Sequence, residues 1–151
     1  MQRRPCVVAA ATDIGAPVET CFDLARSIDL HLESMVASKE RAVAGVTSGL
    51  IGAGEEVSWE ARHFGVSWHM TSRIADYERP SRFVDQMVRG PFVSFRHEHR
   101  FEVHGARTRM TDVVEFQMPV GFVMNLPTKL YLRRLLSIRN DVIRAKAEAR
   151  R

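Results

Sequence analysis

Apolar and polar residues alternate along the middle of the chain in short runs broken by turn formers. Val57-Ser58-Trp59-Glu60-Ala61-Arg62-His63 alternates, Phe64-Gly65 reverses the chain, and residues 66–74 alternate again. Residues 82–89, 95–103 and 109–118 repeat the pattern. They are separated by Glu78-Arg79-Pro80-Ser81, Gly90-Pro91 and His104-Gly105-Ala106-Arg107. One face of these runs is rich in Trp, Phe, Met and Val. The other reads Ser58-Glu60-Arg62, Arg96-Glu98-Arg100 and Thr111-Val113-Glu115. A period of two with one polar face predicts an antiparallel sheet covered on one side. A weaker run at 41–48 and a small-residue run at 7–11 bring the strands to seven.

The flanks have helical period. Pro17 and Glu19 suit a first helical turn, and Val18, Phe22, Ala25 and Ile28 follow at helical spacing. Asp29 is placed to cap a second short helix over 30–35. Near the C-terminus Tyr131, Leu135, Ile138, Val142 and Ala145 form one stripe, widened by Leu132, Leu136 and Ile143. Pro127 marks a start or a kink, with a helical turn expected over 121–126. The order is strand, two short helices, six strands, one long helix. This is an α+β chain, and the long helix is the one element of a length to cover the sheet.

Composition adds exclusions. The 151 residues are 45% apolar and 26% charged, close to an average globule, which argues against disorder, collagen and coiled coil. One domain spanning 1–151 is expected at this length. No apolar run is long enough to span a membrane. Cys6 and Cys21 make no disulfide framework, and a cytoplasmic location is expected. The net charge of +4 is uneven: residues 128–151 hold eight bases against two acids, hence +6 there and −2 elsewhere. That excess reads as the solvated face of the last helix, with a patch for nucleic acid or anionic lipid as the alternative. No second basic patch or stacking platform accompanies it, so no specific nucleic-acid partner is expected.

Two stretches carry a resemblance. They are the segment from Gly54 to Gly65, and Phe83-x-Asp85 followed by Gly90-x-Phe92 and Phe95-x-His97-x-His99-x-Phe101. The chain resembles the SRPBCC (START/Bet v 1-like) superfamily, in particular its polyketide cyclase/dehydrase-like bacterial subgroup. The resemblance implies a helix-grip fold. A curved seven-stranded antiparallel sheet, with two short helices after strand 1, wraps a long C-terminal helix and leaves a cavity for apolar ligands. It implies no single reaction.

Alternation then assigns the cavity wall. The residues expected to contact a ligand are Trp59, His63, Trp68, Met70, Met87, Phe95, His97, Phe101, Met110 and Phe116, with Leu135 from the helix. The polar residues on this apolar face are His63, Ser72, Asp85, His97, His99 and Asp112. Folding at the turns places His99 opposite Asp112 and Asp85 near His99. The row Asp85, His99 and Asp112 is the candidate catalytic set for proton transfer; it equally suits a self-satisfied buried network. His97-x-His99 with Asp112 matches part of a facial-triad ligand set. No other metal motif accompanies it, so no metal and no cofactor is expected. Gly-x-Ser-x-Gly, phosphate-loop and His-Glu-x-x-His motifs are absent, which leaves nucleophilic hydrolysis and nucleotide chemistry unsupported. The first functional reading is binding of a hydrophobic small molecule, such as a lipid, polyketide-like or aromatic molecule, by a monomer or homodimer. The second is a cyclase/dehydrase-type enzyme using the cavity Asp/His pair. The third is an interaction module built on the basic helix.

Overall fold

The structure, a computed structural model, describes residues 3–63, 65–120 and 122–150; the side chains of His63 and Phe122 lie outside that description. The strands are β1 (Cys6–Ile14), β2 (Arg41–Gly45), β3 (Glu56–His63), β4 (Val66–Glu78), β5 (Arg82–Arg89), β6 (Ser94–His104) and β7 (Arg107–Gln117). The helices are α1 (Val18–Ala25), α2 (Ile28–Ser34) and α3 (Asn125–Ala149), with single 3-10 turns at Val36–Ser38 and Phe122–Met124.

The strands form one antiparallel sheet in the order β1-β7-β6-β5-β4-β3-β2. From β2 to β7 each strand pairs with its sequence neighbour, as alternation between tight turns requires. Gly105 holds φ +63° in the β6–β7 turn, a left-handed conformation that costs glycine little. β1 then pairs with β7, Cys6 opposite Phe116 and Ile14 opposite Thr108. Register shifts at Ala42/Ala44, Thr71/Ser72 and Ile74/Asp76 bend the strands. The helix-grip arrangement follows, with α1 and α2 joining the two edge strands and α3 packed along β1, α1 and α2.

Burial follows the alternation. Phe22 of α1 meets Tyr77, Phe83 and Phe101 edge-on, with centroids 5.3–5.4 Å apart. Val8, Val114, Phe116 and Leu136 form a second cluster beneath the first half of α3. On the opposite face Arg62 and Arg100 are exposed. Glu98 departs from the solvent-like reading of that face: it is buried beneath Arg82, Arg96 and Arg100, which all pair with it.

Two helix details differ from expectation. Ser27, not Asp29, caps α2, accepting a hydrogen bond from the Leu30 amide at 3.2 Å. Asp29 sits in the first turn, and its carboxylate accepts from the Gly49 amide instead. The buried face of α3 is also rotated from the stripe through Ile138. Leu136, Arg139, Asn140, Ile143 and Ala147 are buried, whereas Ile138 is 38% exposed. Two polar side chains occupy this face because internal partners satisfy them. Tyr131 and Leu135 are half-buried because that half of the helix borders a cavity. Among the described residues, no helix is long and apolar enough to cross a membrane.

Candidate functional site

A cavity of about 310 Å³ lies between the sheet, α2 and the first half of α3. Trp59 of β3, Trp68 and Met70 of β4, Phe95 of β6 and Leu135 of α3 line it, and each is where alternation or helical spacing pointed. His97 lines it too. The expectation fails for four residues. Phe101, Met110 and Phe116 are buried in the packed core, and Met87 packs over Gly90 at the end of β5. Alternation specifies the inward face, but the inward face is partly core and partly cavity wall. His63, also expected in the wall, lies outside the described side chains.

Strand pairing assembles the polar end of the cavity. His99 stands opposite Asp112, and Asp85 opposite His97. Asp85 therefore reaches His99 diagonally: His99 Nε2 and Asp85 Oδ2 are 2.6 Å apart. His97 Nε2 lies 2.7 Å from Asp112 Oδ1. The two imidazoles stack with centroids 3.7 Å apart, and Phe83 stacks on the far side of His99 at 4.0 Å. Asp85 and His99 line the cavity together with His97; Asp112 has no exposed surface and stands behind them.

Two more residues complete the cluster: Arg139, expected among the bases on the solvated face of the helix but buried, and Asn140, which the sequence reading did not single out. Asn140 Nδ2 donates to Asp112 Oδ2 at 2.8 Å. Arg139 Nη1 lies 3.4 Å from Asp112 Oδ1, and Arg139 Nη2 donates to the Ala25 carbonyl at 3.1 Å and to His99 Nδ1 at 3.3 Å. Arginine only donates, so His99 Nδ1 accepts and its Nε2–H donates to Asp85. Their spacing is a signal: Arg139 and Asn140 lie within four residues of both Leu136 and Ile143, on the helix face those two apolar residues share.

Charge in the cluster is fixed by these contacts. Burial opposes ionisation of Asp112, but the hydrogen bond from His97 and the Arg139 charge outweigh it and hold its carboxyl well below the usual range. Burial likewise opposes ionisation of Asp85, which His99, His97 and Arg139 reverse. Burial and the neighbouring His99 push His97 down. A neutral His97 donates from Nε2 to Asp112 and leaves its Nδ1 lone pair available beside the cavity. The cluster thus offers a carboxylate and a basic ring nitrogen to a polar group brought in by an apolar ligand.

A smaller polar pair lies elsewhere on the wall. His31 Nε2 and Glu40 Oε1 are 2.7 Å apart, and His31 packs on Trp59 with centroids 4.4 Å apart. Nothing in the local sequence pattern announced it, because the two residues sit on different elements.

The family model described as polyketide cyclase / dehydrase and lipid transport matches residues 5–148. No curated protein sequence matches the chain. Solved structures similar in fold include TTHA0849 from Thermus thermophilus, at 19% identity and TM-score 0.71, covering 94% of this chain and 99% of that one. Zhui aromatase/cyclase from Streptomyces sp. R1128 is similar at 15% identity and TM-score 0.73, covering 97% and 95%. A START superfamily protein from Mycobacterium smegmatis is similar at 13% identity and TM-score 0.71, covering 96% and 99%. With the sheet, the long helix and the cavity between them in agreement with a match over nearly its whole length, the chain belongs to the polyketide cyclase / dehydrase and lipid transport family.

Proposed function

We propose that the protein binds a hydrophobic small molecule in the cavity, an aromatic, polyketide-like or lipid molecule whose oxygen-bearing group meets Asp85 and His97. The observation that carries this reading is an apolar chamber with one polar end. Aromatic, Met and aliphatic side chains form most of the wall, and a few convergent polar groups fix orientation, the usual make-up of a ligand pocket. A volume of about 310 Å³ suits a compact ligand. Native mass spectrometry of the protein purified from its own host tests the reading. A bound small molecule that denaturation releases is expected. A mass equal to the bare chain, with no Trp59 or Trp68 fluorescence response to aromatic and lipid ligands, overturns it.

A second reading is supported by the Asp85–His99 contact of 2.6 Å in the cavity wall. An ionised Asp85 takes a proton from a carbon next to a carbonyl, and the protonated Asp85, oriented by its contact with His99, returns that proton to the oxygen during ring closure or loss of water. A cyclase/dehydrase acting on a poly-β-keto chain needs these two roles. Product formation from such a substrate mimic, lost in Asp85→Asn with binding retained, supports catalysis; equal turnover in the variant removes Asp85 from it.

A further inference from the structure

We propose that Asp85, His97 and His99 form a binding site for a divalent transition-metal ion at the polar end of the cavity. One ligand atom from each lies within 4.8 Å of the other two. Asp85 Oδ2 is 3.9 Å from His97 Nδ1 and 2.6 Å from His99 Nε2. Nitrogen and oxygen ligands held at about 2.0–2.2 Å from one ion stand roughly 3–4 Å apart. The longer separation already lies in that range; the shorter must open by roughly half an ångström.

The surroundings argue more strongly than the three ligands. A metal-bound histidine almost always directs its other ring nitrogen at a carboxylate, carbonyl or water, which fixes the tautomer. Here both histidines direct that second nitrogen at one carboxylate. Asp112 Oδ1 is 2.7 Å from His97 Nε2 and 3.4 Å from His99 Nδ1. Asn140 and Arg139 hold Asp112 in turn. His97 already has the required form, with Nε2–H on Asp112 and the Nδ1 lone pair toward Asp85. His99 reaches it when its proton moves from Nε2 to Nδ1, beside Asp112; Arg139 Nη2 keeps the Ala25 carbonyl.

Charge points the same way. Arg139 offsets Asp112, so Asp85 is the carboxylate left over for a cation. Two imidazoles and one carboxylate on one side of an ion suit Fe(II), Co(II) or Zn(II) rather than calcium or magnesium. All three ligands come from the wall, so the remaining coordination positions face the cavity, where an oxygen of a bound molecule can occupy them. The site does not depend on which ligand the cavity takes.

The test uses the full chain without a polyhistidine tag. Protein is stripped with a chelator, mixed with excess Co(II) or Zn(II) and desalted. The metal-to-protein ratio and the Co(II) visible absorption are then measured. One retained equivalent is expected, with the spectrum of a nitrogen- and oxygen-ligated ion. Asp85→Asn and His97→Ala abolish retention, and Asp112→Asn weakens binding by about 10–100-fold. His31→Ala, which removes the other cavity histidine, leaves retention unchanged. Circular dichroism of the metal-free variants establishes that each is folded. His97→Gln, which withdraws Nδ1 but keeps an amide donor near Asp112, replaces His97→Ala where that variant does not fold. No retained metal in the wild-type chain, or retention that survives both Asp85→Asn and the His97 variant, overturns the proposal.

Discussion

Arg139, midway along the long helix, places Nη1 3.4 Å from Asp112 Oδ1 on β7, and both residues are buried. The contact ties the cover of the sheet to its polar interior. Arg139 also reaches the Ala25 carbonyl at the end of α1, so one side chain joins α1, α3 and β7.

Removing that side chain strands a buried carboxylate. Arg139→Ala is expected to destabilise the fold by about 3–5 kcal/mol, the range for breaking a buried pair from one side. Ile138→Ala, one residue away on the exposed side, is expected to cost less than about 1 kcal/mol. Urea melts of both variants check this. Equal losses at the two positions contradict the helix orientation described above.

The cavity wall and the core separate by mutation. Trp68 lines the cavity and is half-buried, whereas Phe101 packs against Phe22 with centroids 5.3 Å apart. Phe101→Ala is expected to lower stability by about 3–5 kcal/mol. Trp68→Leu leaves stability nearly intact and weakens uptake of an aromatic dye by about tenfold, the equivalent of roughly 1.4 kcal/mol of lost apolar contact. Thermal melts and dye titrations on the same samples test the contrast. Unchanged dye affinity in Trp68→Leu removes that side chain from the binding wall.

Stability depends on pH through the cluster. Burial and His99 hold His97 below its ordinary value of 6.5, so between the folded and unfolded values the unfolded chain binds more protons. Stability is therefore full above about 6.5 and falls as pH drops below it. Asp85 and Asp112 act at lower pH. Their carboxyls are held below 3.8 in the fold, and the stability they contribute is lost as pH falls through the folded values. In metal-free protein with chelator present, the urea midpoint is expected to decline below about pH 6.5 and more steeply below about pH 4. His97→Gln flattens the first decline. A midpoint that rises between about pH 7 and pH 5 contradicts the direction.

Strand-level features were legible because tight turns and a period of two leave little freedom. The His104-Gly105-Ala106-Arg107 turn sets the register, and His99 does stand opposite Asp112. The loop at Gly90-Pro91 sets register less tightly, so Asp85 faces His97 across the strands and reaches His99 only diagonally. The helix face was harder to read. α3 carries two apolar stripes, one through Tyr131 and Leu135 beside the cavity and one through Leu136 and Ile143 against the core. A fully apolar core would have made the second stripe obvious. Arg139 and Asn140 break it because Asp112, Ala25 and His99 supply their partners, and those partners lie far away in sequence.

The two carboxylates of the cluster are predicted to differ in kind. Asp112 has no exposed surface and faces Asn140, His97 and Arg139, all within 3.4 Å. Asp112→Asn removes the charge that balances Arg139 and turns an amide donor toward other donors. A loss of about 2–4 kcal/mol is expected, with buried donors left unsatisfied. Asp85 is partly exposed and borders the cavity, and it makes a short contact with His99. An Asn oxygen at that position still accepts from His99 Nε2, so Asp85→Asn is expected to cost less than about 1.5 kcal/mol, near the net worth of one hydrogen bond. Thermal melts of the two variants separate them, and titration with a cavity ligand completes the comparison. Asp112→Asn should change stability and leave the affinity of the remaining folded protein nearly intact. Asp85→Asn should do the reverse, lowering affinity for ligands that carry an oxygen-bearing group and sparing purely apolar ones. Equal destabilisation by the two substitutions would make Asp85 a second structural carboxylate and leave His97 as the polar contact for the ligand.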